Sequence, residues 1–154
     1  MEKTKVKIVS DHAGHEAKVE LAKRLTNEGY DVELYGSTSP DVSVSYSEVG
    51  IDFAKELLKD NDSETAKYVA FCGSGIGISI ALNRFKHVRC ARVTSVKEAE
   101  LAKLHNDANI LCMGGRLNSS DDIEAMFHKW ETTKFEGNRH IPRINKLDEV
   151  GQDE

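Results

Sequence analysis

Five short apolar runs alternate along the chain with stretches of helical periodicity, and that alternation is the strongest constraint on its fold. The runs are KVKIVS at 5–10, DVELYG at 31–36, KYVAFC at 67–72, VRCARV at 88–93 and NILCMGG at 109–115. The first intervening pattern predicts a helix over 15–29, with Ala17, Leu21 and Leu25 on one face and Gly29 as its stop. A second helix is expected from Tyr46 to Lys59, where Ser45 and Glu48 have capping-box spacing. A third follows a glycine-rich turn and runs to about Arg84. A fourth covers 95–107, with Ser95 and Glu98 again at capping-box spacing, and a fifth spans Ser120 to Thr133. The polar stretch 60–66 reads as a linker. The tail is irregular up to Pro142, which suits the first residue of a short final helix. Short apolar strands joined by helices form a parallel sheet with helices on both faces. The expected class is therefore α/β, one domain over residues 1–154 with a five-stranded parallel sheet and a C-terminal tail or helix.

A chain of 154 residues is long enough to bury a real core and too short for two ordinary domains. Its net charge of −5 argues against a nucleic-acid partner, because broad electrostatic attraction to phosphate backbones needs the opposite sign. An anionic small molecule is compatible with that charge if basic side chains gather locally. No apolar run approaches the roughly 20 residues that span a bilayer, so no membrane partner is expected. The N-terminus reads as a short charged lead into the first strand, without the features of a signal peptide, and the expected compartment is the cytoplasm. Cys72, Cys90 and Cys112 are an odd number in no CxxC or His/Cys spacing, which suggests neither a disulfide framework nor a metal site.

In parallel α/β sheets the ligand crevice lies beyond the carboxyl ends of the strands, which singles out loops 10–15, 36–45, 72–77 and 113–119. Gly73, Gly75 and Gly77 fit neither the G-x-G-x-x-G fingerprint nor a phosphate-binding P-loop. Cys72 also stands where a G-x-S-x-G elbow needs glycine. What remains is a strand-to-helix turn whose N–H groups can hold an oxyanion. Cys72 ends the strand just before that turn. It reads either as a buried space-filler, as Cys90 and Cys112 do, or as a reactive base or nucleophile, since the positive end of a helix favours thiolate. Asp11 can cap a helix, whereas His12 beside it has no such task. His105, Asn106 and Asp107 cluster at a helix-to-strand junction. Arg116, with Arg139, His140 and Arg143 in the tail, reads either as a solvated basic set or as phosphate ligands, the forked guanidinium matching phosphate oxygens.

Taken together, SDHAG, CGSGIGISIALNR, VRCARV, LHNDANILCMGGR and FEGNRHIPRI, in this order over about residues 5–147, resemble the ribose-5-phosphate isomerase B family. That family also includes allose- and galactose-6-phosphate isomerases. The resemblance implies a Rossmann-like three-layer sandwich and interconversion of ribose 5-phosphate and ribulose 5-phosphate, a step of the non-oxidative pentose phosphate pathway. It implies no metal or organic cofactor. It also implies a homodimer or dimer of dimers with active sites shared between subunits, the tail 143–154 packing on the partner or being partly mobile. Cys72 matches the family's base, and the amides of Gly73, Gly75 and Gly77 its anion hole. Ser74 and His105 match the ring-opening pair, and Asp11 and Asn106 the sugar-binding groups. His12, Arg116, Arg139 and Arg143 match the phosphate ligands, with His105 and Arg116 expected from the neighbouring subunit. Three departures stand out. An Asp-Tyr-Pro-x-Tyr run is replaced by VSVSY at 42–46, leaving Tyr46 alone of the aromatic wall and bearing on sugar choice. GNRH replaces Gly-Gly-Arg-His, so Asn138 is expected to take a left-handed backbone, and ALNR replaces Ala-Ala-Asn-Lys.

Overall fold

The structure, a computed structural model, describes residues 3–60 and 65–153. Residues 61–64 of the expected linker lie outside the described residues. Strands β1 (Lys5–Ser10), β2 (Asp31–Gly36), β3 (Lys67–Cys72), β4 (Cys90–Arg92) and β5 (Ile110–Gly114) form one sheet in the order β2-β1-β3-β5-β4, every pair parallel. Helices α1 (His15–Asn27), α2 (Tyr46–Lys59), α3 (Ile76–Leu82), α4 (Val96–Leu104), α5 (Ser120–Thr132) and α6 (Ile141–Leu147) complete the chain. Among the described residues no helix is long and apolar enough to cross a membrane.

Alternation along the central strands sorts side chains into two cores. Val6, Ile8, Val69, Phe71, Leu111 and Met113 point to one face, where α1, α4 and α5 cover them with Leu21, Ala99, Phe127 and Trp130. Val9, Tyr68, Ala70, Cys72, Ile110 and Cys112 point to the other, under Phe53 and Leu57 of α2 and Ile78 and Leu82 of α3. Burying each large apolar side chain contributes about 1.5–3 kcal/mol. The expected three-layer α/β arrangement is therefore present.

Most boundaries follow local chemistry. The Ser45 side chain accepts the N–H groups of Ser47 and Glu48, so α2 begins at Tyr46. Gly29, at φ 102°, ends the first helical segment as expected. At α4, Ser95 caps Glu98 N–H, but the Glu98 carboxylate turns back to Thr94, accepting its N–H at 2.6 Å and its hydroxyl at 2.7 Å. Several elements are shorter than the pattern predicts. The helix after the glycines stops at Leu82, because Asn83 leaves it to bridge the backbone of Cys90 with both side-chain polar atoms, at 2.8 and 2.9 Å. α4 stops at Leu104, and Asp107 takes a left-handed φ of 45°. The fourth strand retains only Cys90–Arg92, at the edge of the sheet. Asn138 has φ 55°, as anticipated, within a 3₁₀ turn of Asn138–His140 that leads into α6, and α6 opens at Ile141 with Pro142 in its first turn.

The tail makes contacts within its own chain. Asp148 pairs with Arg89 at 3.2 Å, and Gln152 bonds the backbone of Arg84 and Lys86 at 2.7 and 2.8 Å.

Candidate active site

The sheet order creates a switch point between β1 and β3. The chain leaves β1 toward β2 on one side, while β3 lies on the other, so the loops after β1 and β3 diverge above the strand ends. The loop after β5 closes the third side. The three segments meet tightly: a methyl group built on Gly14 would lie 2.7 Å from Phe71 Cβ, and one on Gly115 would lie 3.2 Å from Gly14 Cα.

Cys72 ends β3, 5% exposed, on the face covered by α2 and α3. Its Sγ accepts the N–H of Gly75 at 3.1 Å, and the carbonyl of Gly75 in turn accepts the Cys112 thiol at 3.1 Å. Two sulfurs on neighbouring strands therefore hold one residue of the turn from both sides. Burial pushes the Cys112 thiol pKa well up, with help from the adjacent Cys90, which keeps it a donor. Gly75 must be glycine: its φ is 79°, and a Cβ would lie 2.9 Å from Met113 carbonyl carbon. The Ser74 hydroxyl accepts the N–H of Ile76 at 3.1 Å. The N–H groups of Gly73, Ser74 and Gly77 meet no acceptor among the described residues. The one aromatic retained from the altered loop, Tyr46, lies on Gly77, where a methyl group would be 2.8 Å from its ring.

Asp11 and His12 border this turn from β1. One Asp11 oxygen accepts the N–H of Gly14 at 3.0 Å, which closes the turn ahead of α1, whereas the N-cap is Gly14 and no side chain caps the helix, so the capping role expected of Asp11 is not the one it takes. His12 Nδ1 is bound to the backbone of Val44 at 3.2 Å, so His12 anchors the altered 42–46 segment. Arg116 was expected from a neighbouring subunit, yet it lies against its own chain's turn. Its N–H donates to Gly73 C=O at 3.0 Å, and its Nη1 would be 3.7 Å from a methyl group on Gly73.

Sequence reasoning missed the support beneath these loops. Lys18, 1% exposed, donates to Tyr35 C=O at 2.8 Å and to Ser37 C=O at 2.6 Å. Ser37 Oγ also contacts Ser10 Oγ at 3.0 Å and His15 Nδ1 at 2.8 Å. Burial pushes the Lys18 pKa down to about 8. The available signal was spacing, since Lys18 falls on the same helical face as Leu21, Ala22 and Leu25.

The remaining candidates lie elsewhere. His105 and Asn106 follow α4 and precede β5, at the amino ends of the strands. Arg139 and Arg143 lie with them, because Glu136 N–H donates to Leu104 C=O and Asp148 beyond α6 pairs with Arg89 ahead of β4. A strand of six residues, such as β3, separates its two ends by about 17–20 Å. One chain thus gathers Asp11, His12, Cys72, Gly73, Ser74, Gly75, Gly77 and Arg116 at one end. It holds His105, Asn106, Arg139 and Arg143 at the other. Among the described residues two clusters could offer three ligand atoms to a metal ion, His105–Glu136–His140 and Glu28–Glu124–His128, the atoms of each lying within 4.8 Å of one another.

Comparison with known proteins agrees with this fold. A family model described as Ribose/Galactose Isomerase matches residues 6–147. A Rickettsia bellii protein, provisionally named a sugar phosphate isomerase, is 36% identical over 142 residues, 92% of this chain and 95% of its own. The ribose-5-phosphate isomerase B of Escherichia coli is 28% identical over 148 residues, 96% of this chain and 97% of its own. The solved structure of the Thermotoga maritima ribose 5-phosphate isomerase superposes with a TM-score of 0.89 at 36% identity, over 97% of this chain and 100% of that one. With this fold, this turn and a match across nearly its whole length, the chain belongs to the ribose/galactose isomerase family of sugar phosphate isomerases.

Proposed function

We propose that the protein interconverts ribose 5-phosphate and ribulose 5-phosphate, with Cys72 as the base. The observation that carries this reading is the Cys72 sulfur, bound to Gly75 N–H at 3.1 Å beside the unengaged amides of Gly73, Ser74 and Gly77. In the open-chain aldose, Cys72 as thiolate removes the proton from C2, and the electron pair forms an enediolate whose charge gathers on O1. Returning the proton to C1, while the hydroxyl proton moves from O2 to O1, gives the ketose. A C–H beside a carbonyl is a weak acid, so the step proceeds only if the oxyanion is held as it forms, which preorganised amides do. Binding the distant phosphate orients the reacting carbons. His12 and Arg116 supply that binding from the same end of the chain. His105, Asn106, Arg139 and Arg143 supply ring opening, sugar and phosphate contacts from a second copy, whose opposite end faces this crevice. The family resemblance supports these roles.

A six-carbon aldose phosphate is the second reading. It is favoured by VSVSY at 42–46, where Tyr46 alone remains as an aromatic. The ratio of kcat/KM for ribose 5-phosphate and allose 6-phosphate separates the two.

The proton-transfer step is tested by NMR in heavy water. Wild type should place deuterium at C1 of ribulose 5-phosphate, and Cys72→Ala should slow this by about 10²–10⁴-fold. Undiminished exchange in Cys72→Ala would remove Cys72 as the base.

A further inference from the structure

The side chains around His105 are arranged in a way that its assigned task does not by itself require. The N–H of Glu136 donates to the carbonyl of Leu104 at 3.0 Å, which ties Glu136 to the residue just before His105. Its carboxylate then faces three basic side chains. Oε2 is 3.7 Å from His105 Nε2 and 3.8 Å from His140 Nε2, and Oε1 is 3.2 Å from Arg139 Nη1. His140 is 6% exposed, and its buried Nε2 has no hydrogen-bond partner among the described residues. Its ring stacks on that of His105, with centroids 4.6 Å apart and planes 20° apart. Burial, reinforced by the positive charge of Arg139, lowers the His140 pKa.

Two uses of this cluster can be weighed. A divalent metal would need the nitrogen lone pairs to converge on one point about 2.0–2.1 Å from each. Nearly parallel stacked rings aim them side by side instead. The same stack does suit a support for a partly exposed imidazole: a flat buried ring fixes the plane of its neighbour, and a carboxylate fixes the direction of Nε2.

We propose that His140 and Glu136 are positioning residues for His105, the stack setting its ring plane and the carboxylate its Nε2 direction. Glu136 also holds Arg139 until a phosphate claims it, at which point the carboxylate is left to His105. This inference rests on the reading of His105 as the ring-opening group, and its test is chosen to fail separately from that reading.

Ribulose 5-phosphate is an open chain, so exchange of its C1 proton needs the base and no ring opening. Two rates are measured on the full chain: turnover of ribose 5-phosphate, and C1 exchange of saturating ribulose 5-phosphate in heavy water. Glu136→Gln should lower kcat/KM for ribose 5-phosphate at least about tenfold while leaving exchange within about twofold. Glu136→Asp should recover part of the loss, and His140→Phe, which keeps a ring to stack on, should retain more turnover than His140→Ala. Equal loss of both rates in Glu136→Gln, or loss of neither, overturns the proposal. Should His140→Ala fail to fold, the Glu136 variants, at a side chain one third exposed, decide the matter alone. Failure of the His105 reading has a different signature, His105→Asn losing neither rate or losing both equally.

Discussion

Two lysines show how much a buried charge depends on its partners. Lys7 in β1 meets Asp60 at 3.0 Å and Glu56 at 3.2 Å. Burial opposes its charge, but these carboxylates outweigh burial and raise its pKa. Lys18 has only carbonyls and hydroxyls, and its pKa falls to about 8 from 10.5. Between those values the unfolded chain holds a proton that the folded chain has released, so stability gains from Lys18 as pH rises. Relative to Lys18→Met, wild type should gain about 1–2 kcal/mol from pH 8 to 9.5, below the ionisation of unfolded tyrosines. Urea melts at several pH values measure it, and parallel curves for the two proteins would refute the assignment. Cys112 offers a second test at this scale. Cys112→Val keeps the apolar volume but leaves Gly75 C=O without the thiol donor, and a lost buried hydrogen bond costs about 1 kcal/mol. Because the same residue's N–H meets Cys72, the variant should lose kcat more than it raises KM, read from steady-state rates.

Among the elements, the turn between β3 and α3 depends on contacts that only glycines permit, and these contacts differ in kind. A Cβ at Gly114 would lie 2.7 Å from Ser74 O and 3.0 Å from Gly73 O, both backbone atoms of the turn. A Cβ at Gly77 would instead meet the ring of Tyr46, a side chain able to swing away. Gly114→Ala should therefore displace the turn and lower kcat/KM by about 10²-fold, whereas Gly77→Ala should chiefly release Tyr46 and raise KM. Comparing the two variants in one assay checks the ordering. These contacts also show what the sequence could carry. The boundaries of α2 were legible because Ser45 is a local cap, and Cys72 stood out because the glycines follow it directly. The early stop of α3 was not, because Asn83 ends it through a bridge to Cys90 seven residues on. Nor was Cys112, whose bond to Gly75 crosses 37 residues. Local propensity records caps and stops. It does not record which distant carbonyl a thiol will meet.

For the whole molecule, the decisive fact is that the candidate site occurs as two halves at opposite ends of one sheet. Cys72 and the amide turn stand at the carboxyl ends of the strands, His105 and the tail arginines at the amino ends, and a strand's length keeps them apart. No side-chain motion closes such a gap, so under the proposed function a complete site draws on a second copy, and a two-fold pairing would make two complete sites from four halves. Mixing two inactive variants tests this directly. In a heterodimer of Cys72→Ala with His105→Asn, one site combines both defects and the other combines neither. After random exchange half of the dimers are mixed, each with one of its two sites intact, so activity should return to about a quarter of wild type. If each chain built its own site, every site in the mixture would carry one defect and no activity would return. Denaturing and refolding the variants together, with each refolded alone as the control, distinguishes these outcomes in a single turnover assay.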